Sequence, residues 1–214
     1  MATQPEPAIE LLHLSDPQFG KNHRFGSAEP LDSLLHRLTT DLDRLAADQD
    51  LHPDLLVLTG DLAEWAMPDE FDQVHAFIVG VAEHLRLARD RVVIVPGNHD
   101  ISRKRCHAHF LTREADGLQP VRPYWPKWEP YKALFDRLYA DQPNIGFDVD
   151  EPWTLFEMPG LRLVVAGLNS TIKESHLDDD HYGWLGEDQL EWFAAKLAEY
   201  RSRGWLRIGA VHHN

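Results

Sequence analysis

Short apolar runs alternate along this chain with stretches in which leucine, valine or phenylalanine recurs every third or fourth position. The first run, Ile9-Glu10-Leu11-Leu12-His13-Leu14, stops at Ser15-Asp16-Pro17, which predicts a strand ending in a loop that carries Asp16. Leu31, Leu34, Leu35, Leu38, Leu42 and Leu45 then keep helical spacing up to Pro53, so residues from about 31 to 49 read as an amphipathic helix with a core-facing stripe. A second run, Asp54 to Thr59, leads directly into Gly60-Asp61. Between about Pro68 and Leu87, Phe71, Val74, Phe77, Ile78, Val81 and Leu85 predict another helix. Arg91 to Val95 is a third strand, broken at Pro96-Gly97, and it delivers Asn98, His99 and Asp100.

Strand, helix, strand, helix, strand is the rhythm of an α/β chain with largely parallel strands and crossover helices. Such sheets gather ligands beyond the carboxyl ends of their strands, so three polar clusters are expected on one rim. Residues from about 101 to 150 break the rhythm: Pro120, Pro123, Pro126, Pro130 and Pro143 are interleaved with Tyr124, Trp125, Trp128 and Tyr131. This segment is expected to be an insertion that caps or flanks the site. Leu161 to Ala166 returns as a strand ending at Gly167-Leu168-Asn169-Ser170, Glu187 to Tyr200 as a helix, and Leu206 to Val211 as a last strand before His212-His213. There is no internal repeat and no low-complexity tract.

Composition narrows the function classes. With 43% apolar and 26% charged residues and no apolar run near about 18 residues, the 214-residue chain reads as one ordinary globular domain that does not span a membrane. Met1 to Pro7 lacks the basic and apolar halves of a secretory signal, which makes a cytoplasmic location the expectation. Cys106 is the single cysteine, so no intrachain disulfide and no thiolate zinc cluster can form, and a metal would need oxygen and imidazole ligands. The net charge of −14 disfavours broad contact with a nucleic-acid backbone, which draws its affinity from lysine and arginine.

Two adjacent divalent ions need hard oxygen donors and imidazoles, with a carboxylate to offset two cations about 3.5–4 Å apart. Asp16, Asp61, Asn98 and His212 are ligands of that kind. Ser15-Asp16-Pro17-Gln18-Phe19-Gly20, Gly60-Asp61-Leu62, Gly97-Asn98-His99-Asp100 and Val211-His212-His213 resemble the successive motifs of the calcineurin-like metallophosphoesterases, in the family's order and each after an apolar strand. Gly183 to Phe193 is similar to the family's entry into a late helix, so the resemblance spans nearly the whole chain apart from the proline-rich segment.

The resemblance implies a layered β-sandwich flanked by helices and two divalent metal ions, Mn, Fe or Zn. It implies that Asp16 and Gln18 bind the first ion, that Asp61 bridges, and that Asn98 and His212 bind the second, with His213 the alternative to His212. His99 resembles the family's acid group, and Asp100 would orient its ring. Gln18 departs from the histidine most relatives carry, which implies altered metal preference or occupancy. Arg103, within Ser102-Arg103-Lys104-Arg105, and Asn169 are candidate contacts to the phosphate, with a turn or solvated surface the competing reading for each. Asp178-Asp179-Asp180 is expected to be a solvated loop, with His181 able to reach the site, and His107 and His109 are expected to be surface or packing residues.

The family normally closes its site with a Gly-His-x-His motif, which does not occur before Asn214. The expectation is a domain incomplete at its C-terminus, continued by further sequence of the same protein, that binds metal weakly as a fragment. The implied activity is hydrolysis of a phosphomonoester or phosphodiester; a nucleotide or nucleic acid as substrate, or a weakly catalytic sensing domain, are the competing readings.

Overall fold

A computed structural model describes residues 8–21 and 31–213. The N-terminal segment Met1 to Pro7, on which the signal-peptide expectation rests, lies outside the described residues, as does Asn214.

The chain order is β1 (Leu11–Leu14), α1 (Leu31–Gln49), β2 (Leu55–Thr59), α2 (Pro68–His84), β3 (Val92–Val95), α3 (Arg103–Ala115), α4 (Glu129–Leu138), β4 (Thr154–Met158), β5 (Leu163–Gly167), α5 (Glu187–Ser202) and β6 (Leu206–Ala210). The strands form two three-stranded sheets among the described residues. In the first, β1, β2 and β3 are all parallel, with Leu12 beside Leu56 and Leu56 beside Val92. In the second, β4 is antiparallel to β5 and β5 is parallel to β6.

The all-apolar strands explain the layering. Leu55, Leu56, Val57 and Leu58 of β2 and every residue of β3 are buried, as expected of parallel strands covered on both faces. β3 packs against β5, and the two sheets share one core in which Val92 to Val95 meet Phe156, Met158, Leu163 and Val165. α1 and α2 pack together on the flank, and Gly80 permits that approach because a Cβ there would meet the Leu35 side chain at 2.6 Å. Pro68 opens α2 at the position where a missing N–H costs nothing, and the Glu70 carboxylate accepts from the Met67 amide at 3.0 Å.

The proline-interrupted segment holds two helices, α3 and α4, and its aromatic residues join the main core. Trp128, Tyr131, Leu134 and Phe135 are fully buried, Trp128 lies edge-on to Phe147, and the Tyr139 hydroxyl donates to the Val92 carbonyl at 3.0 Å. Lys127 is buried with them. Its ammonium donates to the carbonyls of Thr171 (2.6 Å), Ile172 (3.1 Å) and Glu174 (2.6 Å) and lies 4.3 Å from the Trp128 ring centre. The segment thus braces the loop that follows β5. Among the described residues, no helix is long and apolar enough to cross a membrane.

Candidate metal centre

Because β1, β2, β3, β5 and β6 each end in a loop on the same edge, residues far apart in sequence converge there. One ligand atom from each of Asp16, Asp61 and His212 lies within 4.8 Å of the others. Asn98 Oδ1 is 3.2 Å from His212 Nε2, Asp61 Oδ1 is 3.3 Å from that same nitrogen, and Gln18 Nε2 is 3.4 Å from Asp61 Oδ2. All five side chains expected to bind metal therefore meet at one point. Asp61, Gln18 and His212 are buried and Asp16 is exposed, so the cluster opens to solvent on one side.

The loops reach this geometry through unusual backbone. Asp16, Gln18 and Asp61 take positive φ of 55°, 44° and 49°, a region that disfavours L side chains and concentrates at functional sites. Their amides keep the loops in register: Asp16 N donates to the Gly60 carbonyl, Gln18 N to Asp61 and Phe19 N to Leu62. Gly60 has φ of 72°, and a Cβ there would run into the His212 ring. At Gly97 a Cβ would overlap the Asp61 backbone nitrogen and carboxylate.

The His212 ring reveals the polarity of the centre. Its Nδ1 is 2.7 Å from the Thr59 carbonyl oxygen, which can only accept, so Nδ1 carries a proton and the ring is turned with Nε2 toward the centre. Nε2 faces two oxygens, those of the Asp61 carboxylate and the Asn98 amide. With Asp16 and Asp61 beside it, this set of hard oxygens and an imidazole suits a divalent ion. His213, the alternative ligand, is exposed beside Gly183.

Two expectations need correction. Asp100 does not orient the His99 ring: its carboxylate is wholly buried and accepts from the amides of Ala63 (2.9 Å) and Gly97 (2.8 Å), which ties the β2 and β3 loops together. Burial, with the Asp61 charge second, pushes its pKa up to about 8. The ring is held instead by the Glu64 carbonyl, 2.8 Å from Nδ1. Asn169, expected at the phosphate, is wholly buried instead: its side-chain nitrogen donates to the Pro152 carbonyl at 2.8 Å and its oxygen accepts from the amide and hydroxyl of Thr171. Its neighbour Ser170 donates to the His212 carbonyl and so holds the ligand loop.

A cavity of about 750 Å³ adjoins the cluster, sharing Asn98 with it and lined also by His99. Arg103, the expected basic residue, lines this cavity, 3.8 Å from Asp178, and its guanidinium contacts His181. Burial, with the Arg103 charge second, lowers the His181 pKa. Lys21, Glu64, Trp65 and Met67 also line it. Their residue types carry no site signature, and the nearness of Trp65 to Asp61 in the sequence is the single clue to its place.

A family model described as calcineurin-like phosphoesterase matches residues 9–206. The chain is 27% identical over 213 residues to the cAMP/cGMP dual specificity phosphodiesterase of Mycobacterium tuberculosis, covering 99% of this chain and 52% of that protein. It is 26% identical over 212 residues to a Rhodococcus erythropolis protein named "Probable cyclic nucleotide phosphodiesterase", covering 99% of this chain and 54% of that one. The chain spans about half the length of these relatives.

Proposed function

The chain belongs to the calcineurin-like phosphoesterase family, and from that premise we propose that its centre holds two divalent ions, Mn, Fe or Zn, and hydrolyses a phosphodiester, with a cyclic nucleotide as the substrate that its relatives' names suggest. The observation that carries this reading is the convergence of Asp16, Asp61 and His212 within 4.8 Å of one another, with the Asn98 oxygen 3.2 Å from His212 Nε2. Bound ions would supply Lewis-acid polarisation of the phosphoryl group and acidify the attacking water.

The side chains divide the remaining work. Asp61, central among the ligands, would bridge the ions, with Asp16 and Gln18 on one side and Asn98 and His212 on the other. The His99 amide donates to Asp61 Oδ1 at 2.9 Å, which fixes that carboxylate's orientation. His99 borders both the cluster and the cavity, and with Nδ1 committed to the Glu64 carbonyl its Nε2 is left for the substrate; in the imidazolium form, with a proton on each nitrogen, it would stabilise phosphoryl charge and protonate the leaving oxygen. Arg103 would contact the phosphate or a neighbouring anionic group.

The test is turnover of 3′,5′-cyclic AMP and bis-p-nitrophenyl phosphate with added Mn²⁺. Activity should require the metal, disappear with a chelator, and fall by roughly a thousandfold or more in Asp61→Ala, the scale expected for losing organised metal catalysis. Metal-independent turnover, or full activity in Asp61→Ala, would refute the reading.

A further inference from the structure

Among the described residues, Trp65 is the one tryptophan that combines wide exposure with a place on the site cavity: it is 60% exposed and lines the same space as His99, whose ring centre is 6.5 Å from its own. Met67 (39% exposed) and the buried Ile101 extend the apolar wall beside its indole, which offers a flat face of the kind that stacks on other rings.

The loop that carries it is rigidly built. A single oxygen of the buried Glu70 carboxylate accepts from the Trp65 amide at 2.8 Å and from the Met67 amide at 3.0 Å. Between them Ala66 is buried with φ of 53°, a conformation an alanine holds only where its surroundings impose it. The Glu64 carbonyl is pinned to His99, and the Glu64 amide donates to Phe19. The indole is therefore presented to the cavity by a frame with little freedom, and a flat ligand stacking on it would lose little of its binding energy in ordering the protein.

We propose that Trp65 is the stacking platform for the base of a nucleotide substrate, so that the cavity selects phosphoesters with a flat heteroaromatic group over those of sugars or aliphatic alcohols. The inference rests on the phosphodiesterase reading in assigning the phosphate to the neighbouring cluster; the phosphate end meets His99 and Asn98 while the base reaches toward Trp65 and Met67, and Lys21, Arg103 and Lys104 line the cavity together with Glu64, Asp69 and Glu70, Lys21 being paired with Asp69 at 3.0 Å.

Binding of AMP and of ribose 5-phosphate, which differ by the base alone, tests this by calorimetry with and without Mn²⁺. The wild-type protein should prefer AMP by about 5- to 150-fold, the range that base–aromatic stacking provides. Trp65→Ala should abolish the preference and Trp65→Phe should retain part of it, with the melting temperature unchanged because the side chain is exposed. In turnover, Trp65→Ala should raise KM for cyclic AMP while moving kcat much less. Equal affinities in the wild-type protein, or a preference that survives Trp65→Ala, would overturn the proposal. An AMP preference lost in Trp65→Ala without any cyclic AMP turnover would uphold it and refute the hydrolytic reading instead.

Discussion

At the scale of single residues, the centre depends on atoms that are not there. Gly97 leaves the space in which the Asp61 backbone and carboxylate sit. Gly97→Ala should therefore displace Asp61 and lower kcat/KM by at least about a hundredfold, the loss a displacement near 1 Å brings, with bound Mn²⁺ falling in parallel; near-normal metal content would show that the loop yields. Asp16, Asp61, Asn98 and His212 were legible in the sequence because each follows an apolar strand, and a strand fixes where its next residues go. The partners that set their chemistry were not. Thr59 and Glu64 act through backbone carbonyls, which every residue possesses, and Asp100 has the right type and place but turns its carboxylate to two amides instead of a ring.

At the scale of elements, legibility followed periodicity. α1, α2 and α5 carry apolar residues at helical spacing and lie where that spacing predicts, whereas α3 has little apolar character and α4 is hidden among prolines and tryptophans. β4 escaped notice because Thr154 to Met158 mixes buried and half-exposed positions within five residues. Lys127, ahead of α4, looks like a solvated charge in the sequence and is instead the buried cap of three carbonyls in the loop after β5. Lys127→Met would strip those oxygens of their donors, and urea unfolding should show a loss of about 3 kcal/mol or more; a change below about 1 kcal/mol would mean that water or another donor replaces the ammonium.

At the scale of the whole molecule, the centre joins the two sheets: Asp16, Asp61 and Asn98 follow strands of the first, and His212 follows β6 of the second. Metal binding should then stabilise the fold as a unit. At a free Mn²⁺ concentration a hundredfold above its dissociation constant the gain is about 2.7 kcal/mol, or roughly 5–10 °C in melting temperature for a chain of this size. A scan in Mn²⁺ against one in chelator measures it, and coincident transitions would mean that the cluster does not load. The His212 ring finds its carbonyl partner, Thr59, 153 positions earlier in the chain. That pairing closes only once β6 lies beside β5 and the two sheets are packed together, so nearly the whole described chain has to fold before the ring finds its place.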